Sequence, residues 1–283
     1  MRRAWLAWLV AAVLACVPSV ALAEPGAVSE YVALGDSYTA GSFIPEQRGT
    51  PPGCERSDRN YPTLLRAALR APVFRDVSCG GATTGHLTTA QWAKGGANPP
   101  QLDAVTGRTD LVTIGIGAND IGFAEIVTTC TRLSPSAPRG AACRDHYTSG
   151  GRDRLADRIG AAAPRVAEAL RQVRARAPHA KVIVVGYPTI LPVTGHGCPP
   201  VSAGDADYLG RTFQALNDMI AAQAGRVGVR YLDLAGATVG HDVCQPVGVK
   251  WVEGARATSP AAPWHPNELG MRHAAALLLG QIR

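Results

Sequence analysis

The chain has 283 residues, 46% of them hydrophobic, and a formal charge of +6, enough apolar material for a substantial core in one globular domain. The basic residues are scattered and almost all arginine, with Lys94, Lys181 and Lys250 as the only lysines. That pattern excludes a basic stripe for nucleic acid and any long low-complexity or polyionic tail.

Taken in chain order, the first 23 residues stand apart. Arg2 and Arg3 precede the apolar stretch Ala4–Val17, then Pro18 and the small-residue site Ala21-Leu22-Ala23, the pattern of a secretory leader cut before Glu24. Pro18 and the lack of a basic stop-transfer cluster argue against stable membrane insertion. A lipid anchor on Cys16 is the alternative, although Leu14 two positions earlier fits that motif poorly. Removal of the leader takes away two arginines and no acid, lowering the charge from +6 to +4. Residues 24–283 are then the folded domain.

The next run, Glu30–Leu34, reads as a buried strand and breaks at Gly35-Asp36-Ser37-Tyr38, where Gly, Asp and Ser suit a turn and Ser37 is a candidate nucleophile. A helical pattern follows over Tyr61–Arg70 and a strand over Val73–Ser78, which ends in CGGATTG with Gly81. Leu111–Gly115 is a third strand, ending in GIGAND with Asn119. Beyond the insertion Phe123–Gly151 comes a long helix over Arg152–Ala177, with Pro164 a candidate kink. Strands over Lys181–Tyr187 and Val229–Leu234 flank a helix over Asp207–Ala224. A last helix runs from about Pro266 to Gln281, with His265 in the loop just before it.

Alternating strands and helices predict an α/β fold, a flavodoxin-like three-layer sandwich around a parallel sheet of about five strands. Ligands of such sheets bind beyond the carboxyl ends of the strands. Ser37, Gly81 and Asn119 each follow a successive strand, so all three are expected on one face, with His265 reaching in from its loop. Their joint placement, each after a successive strand, carries the inference. Cys54, Cys79, Cys130, Cys143, Cys198 and Cys244 form an even set suited to an exported protein, and six cysteines allow fifteen pairings. No CxxC or His-Cys cluster suggests a metal, the glycines of GIGAND make no dinucleotide fingerprint, and no cofactor is expected.

The segments GDSY, GGAT, GAND and WHPN resemble, in order and spacing, the blocks of the SGNH (GDSL-type) hydrolase family, most closely its secreted bacterial lipases and esterases. The resemblance implies the SGNH hydrolase fold and a carboxylic-ester hydrolase acting on lipid or soluble acyl esters. It assigns Ser37 as nucleophile, His265 as general base, and the backbone N–H groups of Ser37 and Gly81 with the Asn119 amide as the oxyanion hole. The chemistry suits the residues: a serine hydroxyl needs an adjacent base, and each oxyanion donor is worth roughly 3 kcal/mol in the transition state. No GxSxG elbow surrounds Ser37, which argues against the α/β-hydrolase fold. Asp36 and Asp120 read as structural, binding loop amides.

The departure from the family is the triad acid. Many members carry an aspartate three residues before the histidine; here that residue is Ala262, and no acid lies between Glu253 and His265. Glu268 reads as a helix N-terminal charge. A Ser-His dyad is therefore expected, the imidazole oriented by a main-chain carbonyl near Ala262 or Pro263. Pairing of the cysteines in sequence order matches the family's secreted enzymes and would staple the active-site face, at about 3 kcal/mol or more per bridge. Ser42–Asn60 and Phe123–Gly151 are the expected pocket walls. An acyltransferase using the same chemistry and a non-catalytic carbohydrate- or envelope-binding protein are the competing readings. A monomer is expected.

Overall fold

A computed structural model describes Met1 and residues 28–193 and 195–282. The expected leader beyond Met1, and Cys16 within it, lie outside the described residues. Five strands build the main sheet: β1 (Glu30–Gly35), β2 (Val73–Asp76), β3 (Leu111–Gly115), β4 (Lys181–Val185) and β5 (Arg230–Leu232). They pair in the order β2-β1-β3-β4-β5, all parallel. This is the flavodoxin-like order, in which the direction of winding reverses between β1 and β3.

The side chains explain why these runs are central strands. Every residue of β1 and β3 is buried, as expected where helices cover both faces. Successive residues point to opposite sides. Val32, Leu34, Val112 and Ile114 join a core with helices α3 (Phe123–Leu133), α5 (Arg154–Arg176) and α6 (Ala203–Val227). Tyr31, Ala33, Leu111 and Ile183 join a second core with α2 (Tyr61–Leu69) and α8 (Glu268–Ile282). Three shorter helices are also present among the described residues: α1 (Ser37–Ala40), α4 (Ala142–Thr148) and α7 (Leu234–Ala237).

The deviations from the expected boundaries have local causes. β2 stops at Asp76 because that carboxylate accepts both the N–H and the hydroxyl of Ser78, at 3.0 and 2.6 Å, a side-chain turn that competes with the strand. α6 starts at Ala203, four residues early, because the Ser202 hydroxyl caps the N–H of Asp205. α5 runs through Pro164 as one element. The insertion after β3, expected as pocket wall, is largely helical: Phe123, Ile126, Val127 and Cys130 fall on one buried face of α3. The cysteines pair in sequence order, Cys54–Cys79, Cys130–Cys143 and Cys198–Cys244; the middle bridge joins α3 to α4 rather than two loops. Among the described residues no helix is long and apolar enough to cross a membrane.

Candidate active site

β1 ends at Gly35, where φ is +147° and an added Cβ would sit 2.3 Å from the Thr39 hydroxyl and 2.5 Å from the Gly115 carbonyl. No residue with a side chain fits there. Gln101, fully buried, locks the same peptide by accepting from the Gly35 N–H (2.8 Å) and donating to its carbonyl (2.9 Å). Asp36 then caps α1 by accepting from the Tyr38 N–H at 2.9 Å. The chain thus passes from strand to helix in one residue, and Ser37 is the first residue of the helix. Asp36 is completely buried and also accepts from the Tyr187 hydroxyl at 2.6 Å. Burial pushes its carboxyl up to about 7, against the opposing pull of the Tyr187 and Tyr38 donors.

The His265 loop approaches from the far end of the chain. Ala262 N–H donates to the Ser42 carbonyl (2.9 Å), and Glu253 N–H donates to the His265 carbonyl (2.9 Å). Trp264 adopts φ +65°, and its carbonyl accepts from the Tyr38 hydroxyl. In that geometry His265 Nε2 lies 2.7 Å from Ser37 Oγ and Nδ1 lies 2.7 Å from the Pro263 carbonyl. A carbonyl only accepts, so the proton sits on Nδ1 and the Nε2 lone pair faces the serine. Of the two carbonyls expected to orient the ring, Pro263 faces it; that of Ala262 accepts the backbone N–H of His265. The imidazole packs against Tyr38, with ring centroids 4.6 Å apart, and edge-on to Phe123. Burial pulls it down to about 4, the Pro263 bond pushing weakly the other way.

The acids near the loop are engaged elsewhere. Buried Glu253 accepts from Asn267 Nδ2 (2.9 Å) and the Thr258 N–H (2.7 Å) and pairs with Lys250 at 3.1 Å. Burial raises this carboxyl, but those partners together outweigh it and hold it at about 2. Glu268 pairs with Arg59 and Arg272 at the start of α8. Asp242 accepts from the Cys244 N–H and Asp233 caps α7. No carboxylate reaches the imidazole among the described residues.

Gly81 has φ +76°, in a turn braced by the Cys54–Cys79 bridge, by Gly80 N–H donating to the Cys54 carbonyl (3.0 Å), and by Gln91 Nε2 donating to the Gly80 carbonyl (2.7 Å). Asn119 Nδ2 donates one hydrogen to the Ala82 carbonyl at 2.9 Å, leaving the other unused. Asp120 holds the next turn by accepting from the N–H and hydroxyl of Thr84. Among the described residues the N–H groups of Ser37 and Gly81 meet no protein acceptor. Ser37, Gly81, Asn119 and His265 line one cleft of about 410 Å³, at the β1/β3 switch point. One wall is polar, with Ser42, Gly53, Glu55 and Gly80; the other is α3, with Phe123, Ala124, Val127 and Thr128. Both expected wall segments contribute. Grooves of about 710 and 810 Å³ elsewhere are larger but hold no such set of groups. No cluster of three or more His, Cys, Asp or Glu among the described residues is placed to hold a metal.

Sequence reasoning did not find Gln101, Tyr187 or the task of the Tyr38 hydroxyl. Their partners lie 66, 151 and 226 positions away, and no local pattern announces them.

Comparison with known proteins gives a consistent result. A profile of the GDSL-like lipase/acylhydrolase family matches residues 33–273. Lipase 2 of Streptomyces coelicolor is 40% identical over 253 residues, covering 87% of this chain and 83% of its own. Among solved structures, phospholipase A1 from Streptomyces albidoflavus NA297 superposes with a TM-score of 0.72 at 28% identity, over 90% of this chain and 99% of that one. The extracellular lipase of Streptomyces rimosus does so with 0.74 at 27% identity, over 89% and 99%.

Proposed function

The chain belongs to the GDSL-like lipase/acylhydrolase family, and from that premise we propose that it is a secreted carboxylic-ester hydrolase working through a Ser37 acyl-enzyme. His265 Nε2 takes the Ser37 proton as Oγ attacks the ester carbonyl. The negative charge that develops on the carbonyl oxygen is received by the Ser37 and Gly81 N–H groups and the free hydrogen of Asn119 Nδ2, donors oriented before substrate arrives. His265 then gives the proton to the departing alcohol. Water, activated by the same imidazole, releases the acid. The Pro263 carbonyl keeps the ring in the tautomer this sequence needs and offers a partial negative charge to the imidazolium.

The observation that carries the reading is the 2.7 Å contact between Ser37 Oγ and a His265 ring whose other nitrogen is already committed. Hydrolysis of a p-nitrophenyl ester series, together with peptide mapping of a covalent organophosphonate adduct, tests it. Turnover and an adduct on Ser37 are expected; an adduct elsewhere, or inertness to all esters, would overturn the assignment. Secretion is supported by the leader pattern of residues 1–23 and by three disulfides. N-terminal sequencing of the exported protein should begin at Glu24, leaving 24–283 as the mature domain.

A further inference from the structure

We propose that the polar wall of the cleft is a leaving-group subsite for an alcohol that carries free hydroxyls, with Glu55 and Ser42 as its receivers. The proposal rests on the ester-hydrolase reading of the same site.

Glu55 is a non-glycine residue held at φ +58°, a conformation that costs free energy unless its surroundings enforce it. They do. Its neighbour Cys54 is bridged to Cys79, and Arg56 on its other side is buried and donates to the Ser78 and Thr50 carbonyls. The half-buried Glu55 carboxylate, so fixed, lines the cleft, and among the described residues no protein donor reaches it. Ser42 supplies an independent sign. Its hydroxyl is buried, lines the same cleft and has no hydrogen-bond partner, a state that costs about 1–3 kcal/mol unless something fills it. The two groups face one spot: a methyl added at Gly80 would stand 3.4 Å from Glu55 Oε2 and 3.7 Å from Ser42 Oγ.

Position and polarity together decide which half of the ester they meet. Ser42 is tied to the histidine loop, its carbonyl accepting from the Ala262 N–H, and the departing alcohol must lie on the histidine side to collect its proton. The acyl chain is left with the apolar side of the cleft, Phe123, Ala124 and Val127; Phe123 also meets the His265 ring edge-on, so polarity divides the two halves of the ester as much as position does. A carboxylate can accept from two hydroxyls at once and repels an anionic group. Glycerol and a sugar both present paired hydroxyls of this kind; a phosphate-bearing headgroup does not suit.

The test compares esters of one fatty acid with ethanol, glycerol and a sugar, read as kcat/KM ratios. The wild type should prefer the glyceryl or sugar ester to the ethyl ester, and the stronger of those two arms identifies the source of the hydroxyls. Glu55→Gln should lower that preference about tenfold, the loss of one hydrogen bond to a charged group, and Gly80→Ala should lower it by filling the space between the receivers. A Glu55→Gln ratio equal to the wild-type ratio, equal loss on all three esters, or faster cleavage of an anionic phospholipid than of the glyceryl ester would overturn the subsite. Those results leave ester hydrolysis standing, whereas inertness of the wild type towards every ester strikes the underlying reading instead.

Discussion

The two halves of the proposed dyad are held by different kinds of structure. Ser37 leaves a central strand whose six residues are all buried, and the turn that carries it is fixed by a glycine without room for a side chain, by Gln101 and by Asp36. His265 sits on an irregular loop tied to distant segments by two hydrogen bonds, Trp264 to Tyr38 and Ala262 to Ser42, and to itself by the Glu253 N–H on the His265 carbonyl. The nucleophile inherits rigidity from the sheet. The base obtains it from cross-links, and its orienting partner is the Pro263 carbonyl two residues away. On the proposed mechanism the imidazole is therefore aimed without a carboxylate, provided the cross-links survive.

Removing either half should produce the largest effect. Ser37→Ala and His265→Ala should each lower kcat by roughly 10⁴-fold or more, and the double variant by little beyond either one, since groups that act as a unit are not additive. Circular dichroism should stay near wild type for both; Ser37→Ala removes only a hydroxyl and should leave Tm near wild type, whereas His265→Ala also removes the ring packed against Tyr38 and Phe123 and should lower Tm modestly. Additive losses in the double variant would mean that the pair does not work together.

Striking the cross-links should separate the halves. Glu253→Gln leaves the Lys250 ammonium buried without its partner, and breaking a buried pair typically costs about 3 kcal/mol or more. The expected outcome is a marked drop in Tm, with the loop around His265 losing amide-exchange protection before the β1 strand does. Simultaneous loss in both segments would erase the contrast. Tyr38→Phe is gentler: it removes the donor to the Trp264 carbonyl but keeps the ring against His265. We expect kcat to fall about tenfold, of the order of one buried hydrogen bond, with KM nearly constant. An equal change in KM would point to substrate contact instead of positioning.

The same contrast explains what was legible in the sequence. The sheet could be read because β1, β3 and β4 are continuous apolar runs, and the residues that end them announce themselves by glycine, aspartate and asparagine. Ser37, Gly81, Asn119 and His265, picked from segment order, do line one cleft. The four-residue helix at Ser37 and the helices of the 123–151 insertion were less visible, although Phe123, Ile126, Val127 and Cys130 at helical spacing carried a signal for α3. Gln101, Tyr187 and the Tyr38 hydroxyl could not be read at all, because side-chain contacts across such separations follow from the completed fold. The choice between the Ala262 and Pro263 carbonyls turned on the positive φ of Trp264, which an aromatic residue rarely adopts and no sequence rule anticipates.

The smallest effects concern the absent carboxylate, and they sharpen the comparison most. Only neutral His265 can take the serine proton, and burial has pulled its protonation down to about 4. The acid limb of kcat/KM should therefore fall well below the ordinary histidine value of about 6.5. Stability carries the same sign: the unfolded chain binds this proton below about 6.5 and the folded one only below about 4, so stability present above the upper value is lost as pH falls through the lower. A carboxylate partner would push the limb the other way, by favouring the imidazolium. Asp233, Asp242 and Glu268 each have partners of their own, an α7 cap, a turn N–H and two exposed arginines. Asp233→Asn, Asp242→Asn and Glu268→Gln should then leave the acid limb in place and kcat within about threefold, since none of the three contacts the ring; any larger effect of the buried Asp242 should appear in Tm. A limb near 6.5 or above in the wild type that drops when one of these acids becomes an amide would identify a side-chain acid acting on the ring, and the nucleophile and base would no longer be held by different means.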